Sequence, residues 1–437
     1  MEILSKTIQL IFSLSILVVL HELGHFIPAR LFKTRVEKFY LFFDPWFSLI
    51  KKKIGNTEYG IGWLPLGGYV KISGMIDESM DKEQMKKSPE PWEFRAKPAW
   101  QRLIIMLGGV TVNFLLGVFI YSMILYVWND TYLKNDNAVY GVSCSEFAKE
   151  LGFKNGDKIL AIDGLPVERF SDISKNMVLR DESFIVDVER PESFERIVIG
   201  NNFIKDWKNN GKEVLFSPRN IVQIENLSDG GFAEKAGLLA GDILVSVNGV
   251  KTKFFDIFKY ELYKNSSNSV TIGLERNGNY KEVLVEVSEK GKIGFSLANN
   301  LKNSVEEYGF FESFPAGYNL AKNTLGEYVD QFALIFNADN DLAGEMGGFG
   351  AIGSMFPSEW NWKTFWHLTA FLSLVLAFMN LLPIPALDGG HVVFLLYEII
   401  ARKPAPEKIM EYAQIVGMII LFSVLIFANG NDILRMF

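Results

Sequence analysis

His21-Glu22-Leu23-Gly24-His25 stands inside residues 7–29, a run in which Glu22 is the only formally charged side chain. On a helix, residues four apart share a face, so His21 and His25 can offer two imidazoles to one metal ion. Glu22 then lies beside that ion, where a carboxylate can take a proton from water. Residues 10–20 are nearly all apolar, which puts the pentapeptide at membrane depth. An ionisable side chain there is costly and marks function by default. The competing reading is a buried helix of a soluble protein carrying two incidental histidines.

Three further runs lack a formal charge: 103–128, 364–387 and 412–431. Each has about 20 residues or more, enough to cross ~30 Å of hydrocarbon. The expected fold class is a polytopic α-helical membrane protein of four spans. The first run is not a cleavable signal peptide, because it carries the metal motif and no small-residue cleavage site follows. A net charge of −7 across 437 residues, with no basic stripe, argues against a nucleic-acid partner. The single Cys144 has no internal disulfide partner and reads as a packing residue. Lys and Arg cluster in 30–53, 86–102 and 402–408. By the positive-inside rule, loops 30–102 and 388–411 face the cytoplasm, and both termini and segment 129–363 face outward.

The third run ends Asn380-Leu381-Leu382-Pro383-Ile384-Pro385-Ala386-Leu387-Asp388-Gly389-Gly390-His391. Two prolines, each without an N–H, break the helix, and a carboxylate follows the break. A catalytic zinc takes three protein ligands and keeps one open position, which His21, His25 and Asp388 satisfy. His391 is then expected to serve as a hydrogen-bonding neighbour or helix start rather than a ligand, and His367 to sit near the interface.

Between the first two spans, residues 59–75 carry short apolar runs around Leu64-Pro65-Leu66-Gly67-Gly68. This predicts a β-hairpin lying against or dipping into the membrane. Backbone at that depth needs a partner, and an extended substrate segment can supply one by strand addition. Residues 76–93 read as a polar cytoplasmic loop and 94–102 as an interfacial anchor. In the second span Gly108 and Gly109 predict close helix approach, and Asn113 a hydrogen bond across helices.

The outward segment repeats itself at an offset of 85 residues. Phe147-Ala148-Lys149-Glu150-Leu151-Gly152 through Gly156-Asp157 matches Phe232-Ala233-Glu234-Lys235-Ala236-Gly237 through Gly241-Asp242. Each copy continues into a strand ending in Asp163-Gly164 or Asn248-Gly249, a hairpin-turn signal. These motifs resemble PDZ domains, at 138–203 and 221–288, which implies modules that bind a peptide or substrate segment at a sheet edge. A folded spacer that binds nothing is the alternative. The first copy departs from the pattern at Leu151. Residues 304–340 have helical periodicity and predict an amphipathic membrane-surface helix.

His-Glu-Leu-Gly-His in a first span (1–128), the 67–71 hairpin, tandem PDZ-like modules, and Asn380 with Pro383 to Gly389 in a C-terminal membrane part (360–437) together resemble the site-2 protease family. That resemblance runs over essentially the whole chain. It implies an intramembrane zinc metalloprotease of the bacterial inner membrane, with Zn2+ on His21, His25 and Asp388 and Glu22 as general base. It also implies that Asn380 positions substrate and that Gly67, Gly68, Tyr69, Val70 and Lys71 receive the substrate strand. The substrate implied is a single-span membrane protein, an anti-sigma factor already trimmed outside. The family's Ala-Gly-Pro-x-x-Asn-Phe is Gly108-Gly109-Val110-Thr111-Val112-Asn113-Phe114 here, and its Gly-Pro-Ile-Gly-Ile is Gly348-Phe349-Gly350-Ala351-Ile352. The other function class is a non-enzymatic membrane-anchored PDZ scaffold with a vestigial metal site. All of His21, Glu22, His25 and Asp388 are present, which disfavours it.

Overall fold

Long uncharged runs become helices because lipid offers no partner to backbone N–H and C=O groups. The computed structural model describes residues 2–75, 88–180, 182–337 and 342–435. Contacts divide the chain into two units, Met1–Asn129 with Glu307–Phe437, and Asp130–Glu306. The first unit holds helices α1 (Glu2–Leu31), α2 (Ala99–Trp128), α3 (Ser313–Phe336), α4 (Phe349–Ser354), α5 (Trp362–Leu381), α6 (Asp388–Ala401) and α7 (Glu407–Leu434). Of these, α1, α2, α5 and α7 are long and apolar enough to cross a membrane. These correspond to the four spans expected from the uncharged runs.

α1 and α2 meet where neither has a side chain. A Cβ on Gly24 would lie 2.7 Å from the Gly108 carbonyl carbon and 2.8 Å from Gly109 Cα. Glycine is required at this crossing because the backbones themselves touch. Farther along α2, Ile120, Tyr121 and Ile124 pack with Ala321 of α3 and with Ala370 and Leu374 of α5. Tyr328 of α3 also meets Phe371 and Phe378 of α5 edge-on. The apolar stripe of the 304–340 stretch, expected to face a membrane surface, therefore has a protein partner along α2 and α5.

The helix break after the third span is realised as expected, but two elements near it differ from the sequence reading. α5 stops at Leu381, residues 382–387 turn, and Asp388 opens α6. Ala386 takes φ +85, and its N–H donates to Gln414 Oε1 of α7 at 3.1 Å. The stretch 388–411 is not a simple loop, since α6 occupies 14 residues of it. Those residues are too few to span a bilayer, yet Val392 and Leu395 bury against α1 and α2 residues, and Glu398 pairs with Arg102 of α2.

The expected 59–75 hairpin is also corrected. Strand β1 (Val36–Ile54) pairs with β2 (Thr57–Ile72) antiparallel, through a turn at 55–56. Phe39 pairs with Val70 on one side and with Tyr59 on the other, and Tyr40 likewise takes Tyr69 and Gly60. Residues 38–41 thus lie between the two halves of the proposed hairpin. Among the described residues, Gly68, Tyr69 and Val70 pair on one side only. The polar loop expected at 76–93 falls outside the described residues over 76–87.

The second unit repeats one plan twice. Strands Leu165–Pro166, Lys158–Ile162, Phe184–Arg190 and Ser193–Ile199 are neighbours in that order, as are Val250–Lys251, Ile243–Val247, Ser269–Arg276 and Asn279–Glu286. The Gly-Asp motif explains the sameness. Asp157 accepts from Lys154 N and from both ends of the Arg190 fork; Asp242 does so with Leu239 N and Arg276. Both turn pairs, Asp163-Gly164 and Asn248-Gly249, have positive φ at each residue, as a type I′ hairpin requires. Cys144 is a buried free thiol, pushed up to about 12 chiefly by burial. Near the start of the second repeat, Ile221 and Gln223 bridge to Phe254 and Ile243, and Ile224–Leu227 pairs with Phe295–Leu297.

Candidate active site

His21 and His25 project from α1 one helical turn apart, with rings meeting edge-on at 4.8 Å. Room for them comes from Gly109 of α2, whose added Cβ would lie 2.6 Å from His21 Cε1 and 2.8 Å from His21 Nδ1. The break before α6 delivers Asp388 to the same point. Its Oδ2 lies 3.3 Å from His21 Nε2 and 3.3 Å from His25 Nε2, and the two Nε2 atoms are 3.2 Å apart. All three residues are largely buried, with His21 8 % and His25 7 % exposed.

These contacts do not satisfy one another. Asp388 Oδ2 is buried without a hydrogen-bond partner, although two imidazole nitrogens are close to it. Three donor atoms converging on one point, one of them an unsatisfied carboxylate oxygen, fit a cation bound among them. Among the described residues this is the one group of three or more His, Cys, Asp or Glu side chains that could hold a metal ion. His25 is already set for that role: its Nδ1 faces the Ile105 carbonyl at 2.8 Å. An N–H there leaves the Nε2 lone pair facing Asp388, the usual second hydrogen bond of a metal-binding histidine.

Glu22 follows His21 directly on α1 and is partly buried. Asn380, in the last turn of α5, brings its Nδ2 to 3.3 Å from His21 Nε2. Gly68 lies against α1 one turn before His21, where a Cβ would meet Val18 Cγ1 at 2.6 Å. Gly67 precedes it and Tyr69, Val70 and Lys71 follow in the same strand, and Lys71 Nζ lies 3.6 Å from Glu37 Oε2. His391 is three residues beyond Asp388 in α6 and is not part of the converging group. His367 meets the Tyr121 ring edge-on at 5.2 Å.

The sequence profile of peptidase family M50, the site-2 protease family, matches residues 9–424. The chain belongs to peptidase family M50. A putative zinc metalloprotease of Vibrio cholerae is 28 % identical over 465 residues, covering 100 % of both chains. The regulator of sigma-E protease RseP of Escherichia coli is 28 % identical over 452 residues and 98 % of each chain. A protein named regulator of sigma E protease from Haemophilus influenzae is 28 % identical over 458 residues, again 98 % of each. As an M50 peptidase this membrane protein is a metalloprotease, and its three converging donors are where a catalytic metal fits. Two contributors escaped sequence reading: the Ile105 carbonyl, which has no side-chain signature, and Gln414, a single amide in an apolar run.

Proposed function

We propose that the protein is an intramembrane zinc endopeptidase that cuts the membrane-spanning segment of single-span proteins. The observation that carries this is the meeting of His21, His25 and Asp388 on helices α1 and α6 beside Glu22, within a unit of four membrane-length helices. Zinc, the metal in the Vibrio cholerae relative's name, would supply Lewis-acid stabilisation of charge developing on a scissile carbonyl and activate water when bound. His21, His25 and Asp388 hold it. Glu22 takes the proton from water and returns it to the leaving amine. Asn380, beside His21, donates its amide to the substrate backbone.

The one-sided strand at Gly67, Gly68, Tyr69, Val70 and Lys71 supports pairing with an unwound substrate. The edge at Gly68, Tyr69 and Val70, paired on one side only among the described residues, matches an extended chain by β-addition. Farther out on the same sheet, Trp46 is 91 % exposed and stacks on Trp63, as does Phe47. Lys51, Lys52 and Lys53 follow. Aromatic rings next to lysines suit the headgroup level of a bilayer, here the cytoplasmic face of the bacterial inner membrane. The termini and segment 129–363 then face outward.

The two repeats of the second unit, at 138–203 and 221–288, read as PDZ modules. Just beyond the second, Phe295–Leu297 pairs with Ile224–Leu227 on one side, and Phe295 meets Phe255 and Phe258 at 6.5 and 6.1 Å. The edge of this strand is the proposed peptide groove. The pair acts as a gate that excludes untrimmed substrate, such as an anti-sigma factor with its outer domain intact.

Glu22→Gln tests the chemistry. An amide cannot accept the proton, so zinc should stay at one per chain while turnover of a single-span substrate falls at least ~100-fold. His25→Phe should lose both. Turnover near the parent level in Glu22→Gln, or one zinc per chain in His25→Phe, refutes the assignment.

A further inference from the structure

α2 contributes no metal donor, yet one of its side chains touches a proposed ligand on the side away from the metal. Asn113 is fully buried, one turn beyond Gly109, the residue that makes room for both imidazoles. Its Nδ2 lies 3.1 Å from His21 Nδ1. Its Oδ1 is buried with no hydrogen-bond partner. The backbone at this point is held from the opposite side, where Ser373 Oγ of α5 donates to the Asn113 carbonyl at 2.7 Å. Asn113 is therefore fixed between α1 and α5 with its carboxamide against the histidine.

The chemistry of the ring then decides which end of that carboxamide matters. A neutral imidazole carries one proton. With Nδ2 donating to Nδ1, the ring proton sits on Nε2, and the lone pair that would bind a cation is lost. With Oδ1 accepting, Nδ1 carries the proton and Nε2 is free toward Asp388. The two ends of a carboxamide have nearly the same shape, so a half-turn of the group exchanges them without repacking. That half-turn also gives the orphaned Oδ1 its partner.

We propose that Asn113 is a positioning residue for the metal: its carboxamide oxygen holds His21 in the Nδ1–H tautomer that leaves Nε2 free to bind. This rests on His21 being a ligand. It makes α2 the source of the outer hydrogen bonds for both histidines, Ile105 serving His25 through its main chain and Asn113 serving His21 through its side chain. Outer partners of this kind typically change metal affinity 10- to 100-fold when removed.

The test is a zinc competition titration against a chelator on the detergent-solubilised full chain. Asn113→Leu and Asn113→Ala both remove the acceptor, one keeping the volume and one reducing it. Each should weaken zinc binding 10- to 100-fold. Asn113→Asp keeps an acceptor facing Nδ1 and should bind within about threefold of the parent, a rescue that a packing role does not produce. Binding within threefold by Asn113→Leu or Asn113→Ala overturns the proposal, and so does Asn113→Asp binding as weakly as they do. The parent and His25→Phe run alongside. A parent that takes no zinc means the ligand set itself is wrong. A parent that binds, with His25→Phe failing and Asn113→Leu unaffected, removes Asn113 alone.

Discussion

Gly109→Ala adds one methyl group, and the structure states what it meets. An ordinary Cβ contact is 3.4–4 Å, whereas this one would lie 2.6 Å from His21 Cε1, 2.8 Å from His21 Nδ1 and closer still to His25 Nε2. Both rings must withdraw by roughly 1 Å, while metal–ligand distances tolerate about 0.2 Å. The zinc dissociation constant should rise at least ~100-fold, equivalent to about 2.8 kcal/mol. The fold itself should suffer less. Alanine in a helix gains about 1 kcal/mol over glycine, against about 1–3 kcal/mol for overpacking, so the net loss is ~0–2 kcal/mol. The expected signature is a protein that inserts and melts nearly normally in chelator but carries no zinc after purification. Zinc content by atomic absorption, with melting curves recorded in chelator, reads both quantities. One zinc per chain at parental affinity would show that the close approach of α1 and α2 does not shape the site.

Proline in place of Tyr69 or Val70 removes a backbone donor from the one-sided strand. One of the two should cut turnover at least tenfold with zinc retained, and unchanged rates for both would make that edge structural only. Deleting residues 138–290 with the spans rejoined should let untrimmed substrate be cut; if only trimmed substrate is cleaved, the gate is wrong. Asp242 is buried, which raises its carboxyl pKa, but Arg276 and the Leu239 N–H reverse this and hold it below the ordinary aspartate value. Its contribution to stability is therefore present above about pH 3.9 and is lost as pH falls through that value toward the folded one. Asp242→Asn should flatten this acid-side loss, read as hydrogen exchange of Ser269–Arg276 corrected for intrinsic rate. A pH profile identical to the parent's would refute it.

The chemistry was more legible than the sheet. His21 and His25 announce themselves by i, i+4 spacing on one helix face, with Glu22 next in sequence, and Asp388 by the Pro383 and Pro385 break, because both signals are local. The Asp163-Gly164 and Asn248-Gly249 turns were readable for the same reason: each needs positive φ at two adjacent residues. Residues 36–41 were not. They carry no turn or Gly-Pro punctuation that places them between Tyr59 and Val70, a pairing set by contacts 20 or more residues apart in sequence. The strand Phe295–Leu297 is three residues long, too short for any periodicity to show. α6 follows a proline break and is too short to span, so its apolar pattern was outweighed by its position. Asn113 signalled a cross-helix hydrogen bond, but not which atom would receive it.

His21, His25 and Asp388, the proposed metal donors, converge from distant parts of the chain. His21 and His25 lie on α1, and Asp388 is 367 residues beyond His21. At bacterial synthesis rates of about 5–20 residues per second, roughly 20–70 s separate their emergence. During that interval the nascent chain carries His21 and His25 without Asp388. An unfinished chain therefore lacks the third proposed donor, and completion of the proposed site waits on the C-terminal membrane part.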